Sequence, residues 1–367
     1  MKKLFTILVA LAISTPSSFA GWSVTDMNTI ATDSQNVAYS ISGNNVAAST
    51  FGGYRAAWNW NTSNSNWTNL NSFYASSGGA LGSYGNKQVG WESINYSADH
   101  ASLWSGSYES WIDLNPAGAA ASMAYGIWGL KQVGYVITDV DKIGHASLWS
   151  GTADSWLNLN PAGATNGLAY GIDGDQQAGF VQMKDGLLRA SLWSGTSDSW
   201  IDLSPTGSLY SVAYGVSNGQ QVGQIRNSDM VNRACLWNGT ADSWVNLNPL
   251  GSISSIAEGV SNGFQVGTVE IGNDGFTRAS LWNGTDSSWV DLNALLDQSQ
   301  YSGSRAHGVY ASGSDIWIVG EAQYNLVNSF GNTRQDAMLW HYTPVPEPAT
   351  IAVLALGFGF LARRRKR

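Results

Sequence analysis

Short apolar runs of four or five residues alternate along this chain with breaks rich in Gly, Ser, Asn and Pro. Four runs recur in one order and are lettered a to d: Ala124-Tyr-Gly-Ile127, Gln132-Val-Gly-Tyr-Val136, Ala146-Ser-Leu-Trp149 and a phrase such as Trp111-Ile-Asp-Leu114. Runs of this length between turn residues are typical of β-strands, and no segment carries a sustained 3.6-residue apolar stripe. The pattern therefore predicts an all-β chain.

Run c sets the period of the repeat. Close copies end at Trp104, Trp149, Trp193, Trp237 and Trp282, and looser copies end at Trp58 and Trp340. A second tryptophan follows each close copy by seven residues and opens run d, and Trp67 takes this place in the first copy. Four strands in about 45 residues have the dimension of a propeller blade. The sequence thus predicts a seven-bladed β-propeller over residues 21–343, with four strands per blade.

The two ends of this repeat array complement one another. The last copy has runs a, b and c but no run d, whereas a phrase of that kind, Trp22-Ser-Val-Thr-Asp26, precedes the first copy. We expect this N-terminal strand to complete the last blade, because closure removes the open sheet edges that promote aggregation.

The repeated phrase also resembles the extracellular HAF-type repeats of bacteria, over roughly residues 38–342. Its signature is a His or Arg before Ala-Ser-Leu-Trp, followed by Asp-Leu, Gly-Ile and Val-Gly. His100 and His145 match the family's histidine, while Arg189, Arg233 and Arg278 replace it and Ser stands where the family has Phe. The resemblance implies an extracellular location and this repeat fold, and it implies no particular activity.

Residues 1–20 are predicted to be a secretory signal peptide. Lys2 and Lys3 precede an apolar run, and Ser18-Phe19-Ala20 is a small-residue cleavage site for signal peptidase. The apolar run is too short to span a bilayer, so cleavage after Ala20 is favoured over a retained anchor.

Residues 344–367 carry three features in order. These are Val345-Pro346-Glu347-Pro348, an apolar run over residues 349–362, and the basic cluster Arg363, Arg364, Arg365, Lys366 and Arg367. The run predicts one short transmembrane helix whose basic flank stays cytoplasmic. The order resembles the PEP-CTERM sorting tail of Gram-negative bacteria. This resemblance implies recognition by an exosortase-type membrane protease, removal of the tail, and a final location at the cell surface or in the extracellular matrix.

Composition limits the remaining function classes. Seven of the 18 Lys and Arg lie in the two ends and 25 of the 26 acids lie between them, so residues 21–343 carry a formal charge near −14. That balance argues against a nucleic-acid partner. One Cys excludes an internal disulfide framework, and a total of only four His argues against a zinc centre. We therefore predict no metal and no cofactor.

One position of run a is a candidate binding ring. The residue before the Gly of that run, or before Ser40 in the first copy, is aromatic or polar in six of seven copies. The set is Tyr39, Leu81, Tyr125, Tyr170, Tyr214, Glu258 and His307. If run a lines the central channel, these side chains surround it. Glu258 and His307 fall in neighbouring blades and are candidates for an acid–base pair. The alternative is that the tyrosine hydroxyls only satisfy buried backbone groups between blades.

Other candidates lie outside this ring. The paired tryptophans of runs c and d favour packing in the wedge between blades, although rows of aromatics can also stack sugars. Four tryptophans break the repeat and are binding candidates: Trp60, Trp91, Trp128 and Trp317. The connections between runs b and c differ from one another and form a variable rim suited to recognition. Their paired acids, such as Asp139 and Asp141, are expected to be solvated turn residues rather than a calcium site.

Two functions follow from these observations. The first is a non-catalytic cell-envelope or extracellular-matrix propeller that binds a glycan (exopolysaccharide) or a protein through one rim. The alternative is a polysaccharide-active hydrolase or lyase, supported only by the Glu258–His307 pair and by the chemistry that propellers host elsewhere.

Overall fold

The computed structural model describes residues 21–27, 35–51, 55–272, 274–327 and 333–344, and these residues form 28 β-strands. They form five four-stranded sheets and one eight-stranded sheet, and a parallel bridge between Gln35 and Gln335 joins the two halves of the larger sheet. We describe those halves as units 1 and 7, so the strands make seven units of four, and β1 (Trp22–Asp26) belongs to the seventh. Unit 1 contains β2 (Gln35–Ser42), β3 (Asn45–Phe51), β4 (Ala56–Asn61) and β5 (Asn66–Asn69). Unit 2 contains β6 (Ala75–Tyr84), β7 (Lys87–Ile94), β8 (Asp99–Trp104) and β9 (Ile112–Asp113).

The next three units repeat this plan. Unit 3 contains β10 (Ala119–Trp128), β11 (Lys131–Thr138), β12 (Gly144–Trp149) and β13 (Leu157–Asn158). Unit 4 contains β14 (Ala164–Asp173), β15 (Gln176–Met183), β16 (Leu188–Trp193) and β17 (Ile201–Asp202). Unit 5 contains β18 (Tyr210–Ser217), β19 (Gln220–Arg226), β20 (Asn232–Trp237) and β21 (Val245–Asn246).

The last two units complete the array. Unit 6 contains β22 (Ser252–Ser261), β23 (Phe264–Ile271), β24 (Thr277–Trp282) and β25 (Val290–Asp291). Unit 7 contains β26 (Tyr301–Ser312), β27 (Asp315–Val327), β28 (Thr333–Tyr342) and β1. One 3-10 turn precedes the fourth strand in each of units 2–6: Tyr108–Ser110, Ala153–Ser155, Ser197–Ser199, Ala241–Ser243 and Asp286–Ser288. A further 3-10 turn, Asn293–Leu295, follows β25. The prediction of an all-β chain is confirmed.

The N-terminal strand β1 forms the outer edge of unit 7. It pairs antiparallel with β28, from Trp22 opposite Tyr342 to Asp26 opposite Met338. Met27 then donates its N–H to the Ala337 carbonyl at 2.9 Å, as Leu114 donates to Ala101 at 2.8 Å in unit 2. The two ends of the described chain therefore meet in one sheet.

The seven units close into a ring through their first strands. Each first strand contacts the first strand of the next unit, and β26 contacts β2. A glycine follows the inward residue in units 2–7, and it allows this approach because a Cβ there would strike the neighbouring backbone. A Cβ on Gly126 would lie 2.6 Å from the Tyr170 carbonyl oxygen, and one on Gly308 would lie 2.8 Å from that of Tyr39.

Replacing Gly126 by alanine should test this contact. The added methyl would overlap the Tyr170 carbonyl, and backbone cannot rotate away as a flexible side chain could. Overpacking of this kind costs about 1–3 kcal/mol, so we expect a lower free energy of unfolding by that amount in urea denaturation followed by circular dichroism. An unchanged midpoint would contradict the close approach of β10 and β14.

Hydrophobic clusters lie between neighbouring units, and each contains one buried tryptophan. Trp149 of β12, for example, packs with Val89, Leu103 and Leu114 of unit 2. The corresponding tryptophans of the other units are Trp104, Trp193, Trp237, Trp282 and Trp340, all 0% exposed. The expectation that the tryptophans of run c fill the wedge between units is confirmed at these positions.

Unit 1 corrects one sequence alignment. Trp60 pairs with Val46 as Trp104 pairs with Gln88, and it packs in the cluster between units 7 and 1. Trp58 instead takes the place of Ser102 in this register. The repeat tryptophan of unit 1 is therefore Trp60, seven residues before Trp67, and the interpretation of Trp60 as a stray binding residue is wrong.

Several predictions fall on residues that the structure does not describe. The signal peptide, Val345–Pro348 and the basic cluster lie outside the described ranges, as does the expected transmembrane helix. Within those ranges, no helix has the length and apolar character needed to cross a membrane.

Candidate functional site

A β-bulge in the first strand of every unit turns one side chain toward the centre of the ring. In β10 the register shifts between Ala124 and Gly126, which leaves Tyr125 without a partner on β11. Bulges re-aim side chains in this way and are frequent near binding sites. The residues at the seven bulges are Tyr39, Leu81, Tyr125, Tyr170, Tyr214, Glu258 and His307.

These seven half-buried side chains line one central cavity of about 400 Å³. The structure thus brings together residues that are up to 268 positions apart, because each unit contributes one. Neighbouring residues of the same strands, such as Ser40, Ser83 and Ile127, complete the wall. We call this the central cavity.

Three tyrosines form an aromatic arc on one side of the central cavity. The ring centroids of Tyr125 and Tyr170 are 5.1 Å apart, and those of Tyr170 and Tyr214 are also 5.1 Å apart. Gln224 donates its amide to the Tyr214 hydroxyl at 2.8 Å. Burial raises the pKa of Tyr170 to about 12 and that of Tyr125 and Tyr214 further. All three phenols are therefore neutral near pH 7 and offer both a hydrogen-bond donor and an acceptor.

The opposite side of the cavity carries a charged cluster centred on His307. Its Nδ1 lies 2.5 Å from Oε2 of Glu258, and its Nε2 is hydrogen-bonded to Oε2 of Glu321. The Tyr39 ring lies 5.4 Å from the imidazole, and Arg305 Nε lies 3.9 Å from Glu321 Oε1. His307 and Glu321 are 12% and 7% exposed, whereas Glu258 is 26% exposed and faces the cavity.

The charge state of His307 follows from these contacts. Burial alone would lower its pKa, but the opposing charges of Glu321 and then Glu258 outweigh burial and raise the pKa well above 6.5. The imidazole is therefore protonated at neutral pH and donates to a carboxylate from each nitrogen. A general base needs a free nitrogen directed at its substrate. His307 is therefore better placed to hold Glu258 in position than to accept a proton from a substrate.

Sequence reasoning overlooked Glu321, although a signal was present. In units 3, 4 and 7 the residue after the central Gly of the second strand lies beside the bulged residue of the first strand. Tyr135 lies beside Tyr125 at 6.3 Å and Phe180 beside Tyr170 at 6.2 Å, and Glu321 occupies this position in unit 7. Aligning the second strands by their glycine would have placed Glu321 next to His307.

The other three candidate tryptophans, Trp91, Trp128 and Trp317, are not among the residues that line the central cavity. Trp91 is 7% exposed, at the position of Tyr135 in unit 2. Trp317 is half-buried and stacks on His341 with ring centroids 4.7 Å apart. Trp128 is 39% exposed at the end of β10, where its ring lies 5.8 Å from that of Tyr84. Of the three, only Trp128 presents a substantial surface to solvent.

Four of the connections between the second and third strands share a side-chain contact, although their sequences differ. In units 3–6 an aspartate four residues before the His or Arg of the repeat bonds to that residue, as Asp141 bonds to His145 at 2.9 Å and Asp274 to Arg278 at 2.7 Å. Asp139 pairs with Lys142, and Asp175 pairs with Lys131. In the described part of the chain, no group of three or more His, Cys, Asp or Glu is arranged to hold a metal ion.

This chain is similar to known proteins in its C-terminal tail and in its fold. Residues 344–366 match the PEP-CTERM protein-sorting motif. This match implies recognition by exosortase, a membrane protease, and hence export with a transient C-terminal anchor. No curated protein matches the chain.

Solved structures share its fold at low sequence identity. A puromycin hydrolase S511A mutant complexed with PGG gives a TM-score of 0.56 at 9% identity, over 84% of this chain and 54% of the other. A puromycin-hydrolyzing peptidase of Mycobacterium tuberculosis gives 0.54 at 11% identity, over 82% and 52%. The acylaminoacyl peptidase of Pyrococcus horikoshii gives 0.51 at 11%, over 84% and 53%. This chain spans about half the length of each, and at such identities the likeness concerns the fold alone.

Proposed function

We propose that this chain is an exported, exosortase-sorted seven-bladed β-propeller that acts as a non-catalytic binding protein of the cell envelope or extracellular matrix. The sorting motif supports the export route, and the closed ring of seven four-stranded units supports the propeller. The proposal includes cleavage of the signal peptide after Ala20, removal of the tail and the relation to HAF-type repeats. Its ligand is a glycan or a protein, and the central cavity favours a glycan.

The observation that carries the glycan proposal is the lining of the central cavity. A sugar ring has apolar C–H faces and a rim of hydroxyl groups. The arc of Tyr125, Tyr170 and Tyr214 offers ring faces and neutral hydroxyls, while Glu258 offers carboxylate oxygens as acceptors. Cavities that bind small ligands combine aromatic walls with a few fixed polar groups in this way. We expect the central cavity to hold a neutral sugar unit.

Binding should depend on Glu258. The full chain would be titrated calorimetrically with neutral oligosaccharides selected on a glycan array. Replacing Glu258 by glutamine removes the charge with little change in shape, and we expect about tenfold weaker binding, because hydrogen bonds to charged groups contribute about 1.5–3 kcal/mol. The control is Tyr108→Phe, at an exposed tyrosine in the 3-10 turn of unit 2. Equal affinity in Glu258→Gln and the parent chain, or no retained neutral saccharide, would contradict the cavity as the binding site.

A polysaccharide-active hydrolase or lyase is the second candidate. The observation in its favour is the approach of two carboxylates, Glu258 and Glu321, to one imidazole. Analysis of the oligosaccharides after incubation with the full chain distinguishes an enzyme from a binding protein. Chain cleavage that is lost in both Glu258→Gln and His307→Ala would favour the enzyme over the binding protein.

A further inference from the structure

A second group of unusual side chains lies where units 1 and 2 meet, at the start of β6. Three aromatic residues are strongly exposed there: Phe73 by 90%, Tyr74 by 62% and Tyr96 by 93%. Phe73 and Tyr74 form an edge-to-face pair with centroids 5.4 Å apart. The Asn95 N–H donates to the Tyr74 carbonyl at 3.2 Å, and the Tyr96 N–H donates to Ser76 Oγ at 3.0 Å. We call Phe73, Tyr74 and Tyr96 the aromatic corner.

The aromatic corner departs from the repeat in both of the loops that form it. Where units 2–5 carry Pro-x-Gly after their fourth strand, as in Pro116-Ala-Gly118, unit 1 carries Ser72-Phe-Tyr74. Where units 3–6 carry the aspartate that bonds to His or Arg, unit 2 carries Tyr96. Two independent departures in adjacent loops both expose a large aromatic side chain. Exposed aromatic groups of this kind mark interaction sites.

A buried carboxylate holds the turn that presents Phe73 and Tyr74. Glu92 is 0% exposed and accepts hydrogen bonds from the Ser72 N–H at 2.7 Å and from Ser72 Oγ at 2.6 Å. The same position in units 3–6 is apolar and equally buried: Val136, Val181, Ile225 and Val269. A buried carboxylate is costly unless it is hydrogen-bonded. Glu92 therefore holds, through Ser72, a turn that begins with proline in units 2–5.

A polar cavity adjoins the aromatic corner and shares Tyr96 with it. Its volume is about 340 Å³, and the other lining residues are Arg55, Ser76, Ser77, Ser93 and Ser97. Arg55 is exposed to solvent, and its backbone carbonyl accepts a hydrogen bond from the Gly78 N–H at 3.0 Å. A guanidinium among hydroxyl groups is suited to a carboxylate that approaches with two oxygens. It is also a local cation on a body that is otherwise strongly acidic.

From these contacts we propose that the aromatic corner and its polar cavity bind an acidic saccharide. The aromatic rings pack against the C–H face of a sugar ring, the serine hydroxyls bond to its hydroxyls, and Arg55 pairs with its carboxylate. This site is separate from the central cavity. Ala75 and Leu81 are six strand positions apart on β6, which corresponds to about 20 Å.

The test uses the full chain and an array of oligosaccharides containing galacturonate, glucuronate, mannuronate or sialate, each with its neutral methyl ester. We expect retention of at least one acidic form and weaker retention of its ester. Calorimetric titration of that saccharide should show Kd raised about tenfold in Phe73→Ala and in Tyr96→Ala, since both remove an aromatic contact surface. Arg55→Gln should abolish the preference for the acid over the ester.

The matched control is Leu250→Ala. Leu250 stands in the Pro-x-Gly turn of unit 5 at the position of Phe73 and is fully exposed, so its removal should leave Kd unchanged. Both aromatic variants are surface changes and should keep the parental melting temperature. The proposal is overturned if no acidic saccharide is retained, or if the parent chain and the Phe73→Ala/Tyr96→Ala double variant bind equally. Because Glu258→Gln leaves this site intact, failure here and failure of the central cavity are distinguishable.

Discussion

Replacing Trp149 by alanine is expected to lower the free energy of unfolding by about 3–5 kcal/mol. The indole is 0% exposed and packs between units 2 and 3, against Val89, Leu103 and Ile127. Truncation removes its apolar contact area and leaves a cavity that neighbouring sheets cannot close, since each sheet is held by its own hydrogen bonds. Urea denaturation followed by circular dichroism measures this loss without relying on tryptophan fluorescence.

The control for Trp149 lies in the same unit. Trp128 is 39% exposed at the end of β10, so Trp128→Ala should cost less than about 1 kcal/mol. Similar losses for the two variants would mean that the wedge between units 2 and 3 is not a packed core.

The second large effect is expected at Glu321. Replacing it by glutamine leaves the protonated His307 with one carboxylate partner, Glu258, in a site where both His307 and Glu321 are largely buried. Removing one partner of a buried ion pair lowers the free energy of unfolding by about 3–5 kcal/mol. We expect a loss of about 3 kcal/mol here, because Glu258 still contacts the other imidazole nitrogen. The measurement is the free energy of unfolding at pH 5, below the ordinary imidazole pKa of about 6.5, where the imidazole of the parent chain is charged in both the folded and the unfolded state.

The pH dependence of stability provides an independent signature of this cluster. The pKa of His307 is higher in the folded chain than its ordinary value of about 6.5, because Glu321 and Glu258 outweigh burial. The stability that results is fully present below about pH 6.5 and is lost as pH rises through the folded-state pKa. In Glu321→Gln this decline should be smaller and should end at lower pH.

A suitable control for Glu321 is Glu270→Gln. Glu270 lies on β23 and accepts from Ser254 Oγ at 3.0 Å, away from any imidazole contact that the structure describes. It should keep the parental pH profile above pH 6.5. An identical profile in Glu321→Gln would contradict the link between the two carboxylates and the charge of His307.

Much of this architecture was predictable because it is local and repeated. Turn residues separate runs of four or five residues, so strand number and order can be counted along the chain. The run a position of Tyr125 in unit 3 could be proposed as the inward one because alignment of the copies places an aromatic or polar residue there in six of seven. Trp60 was misassigned because unit 1 contains two tryptophans two residues apart. The seven-residue spacing to Trp67 favours Trp60, and the pairing of Trp60 with Val46 confirms it.

The sequence by itself determined the all-β class, the sorting tail and the set of seven run a residues proposed to surround the channel, since each depends on neighbouring residues in the chain. Only the tertiary structure decided which side chains meet. The contact of His307 with Glu258 requires two neighbouring units to approach at Gly259, and its contact with Glu321 depends on the bulge and register of β26 and β27. The aromatic corner likewise forms from loops more than 20 residues apart, joined by hydrogen bonds across β6 and β7. Contacts of this kind depend on strand register and ring closure, which no single repeat specifies.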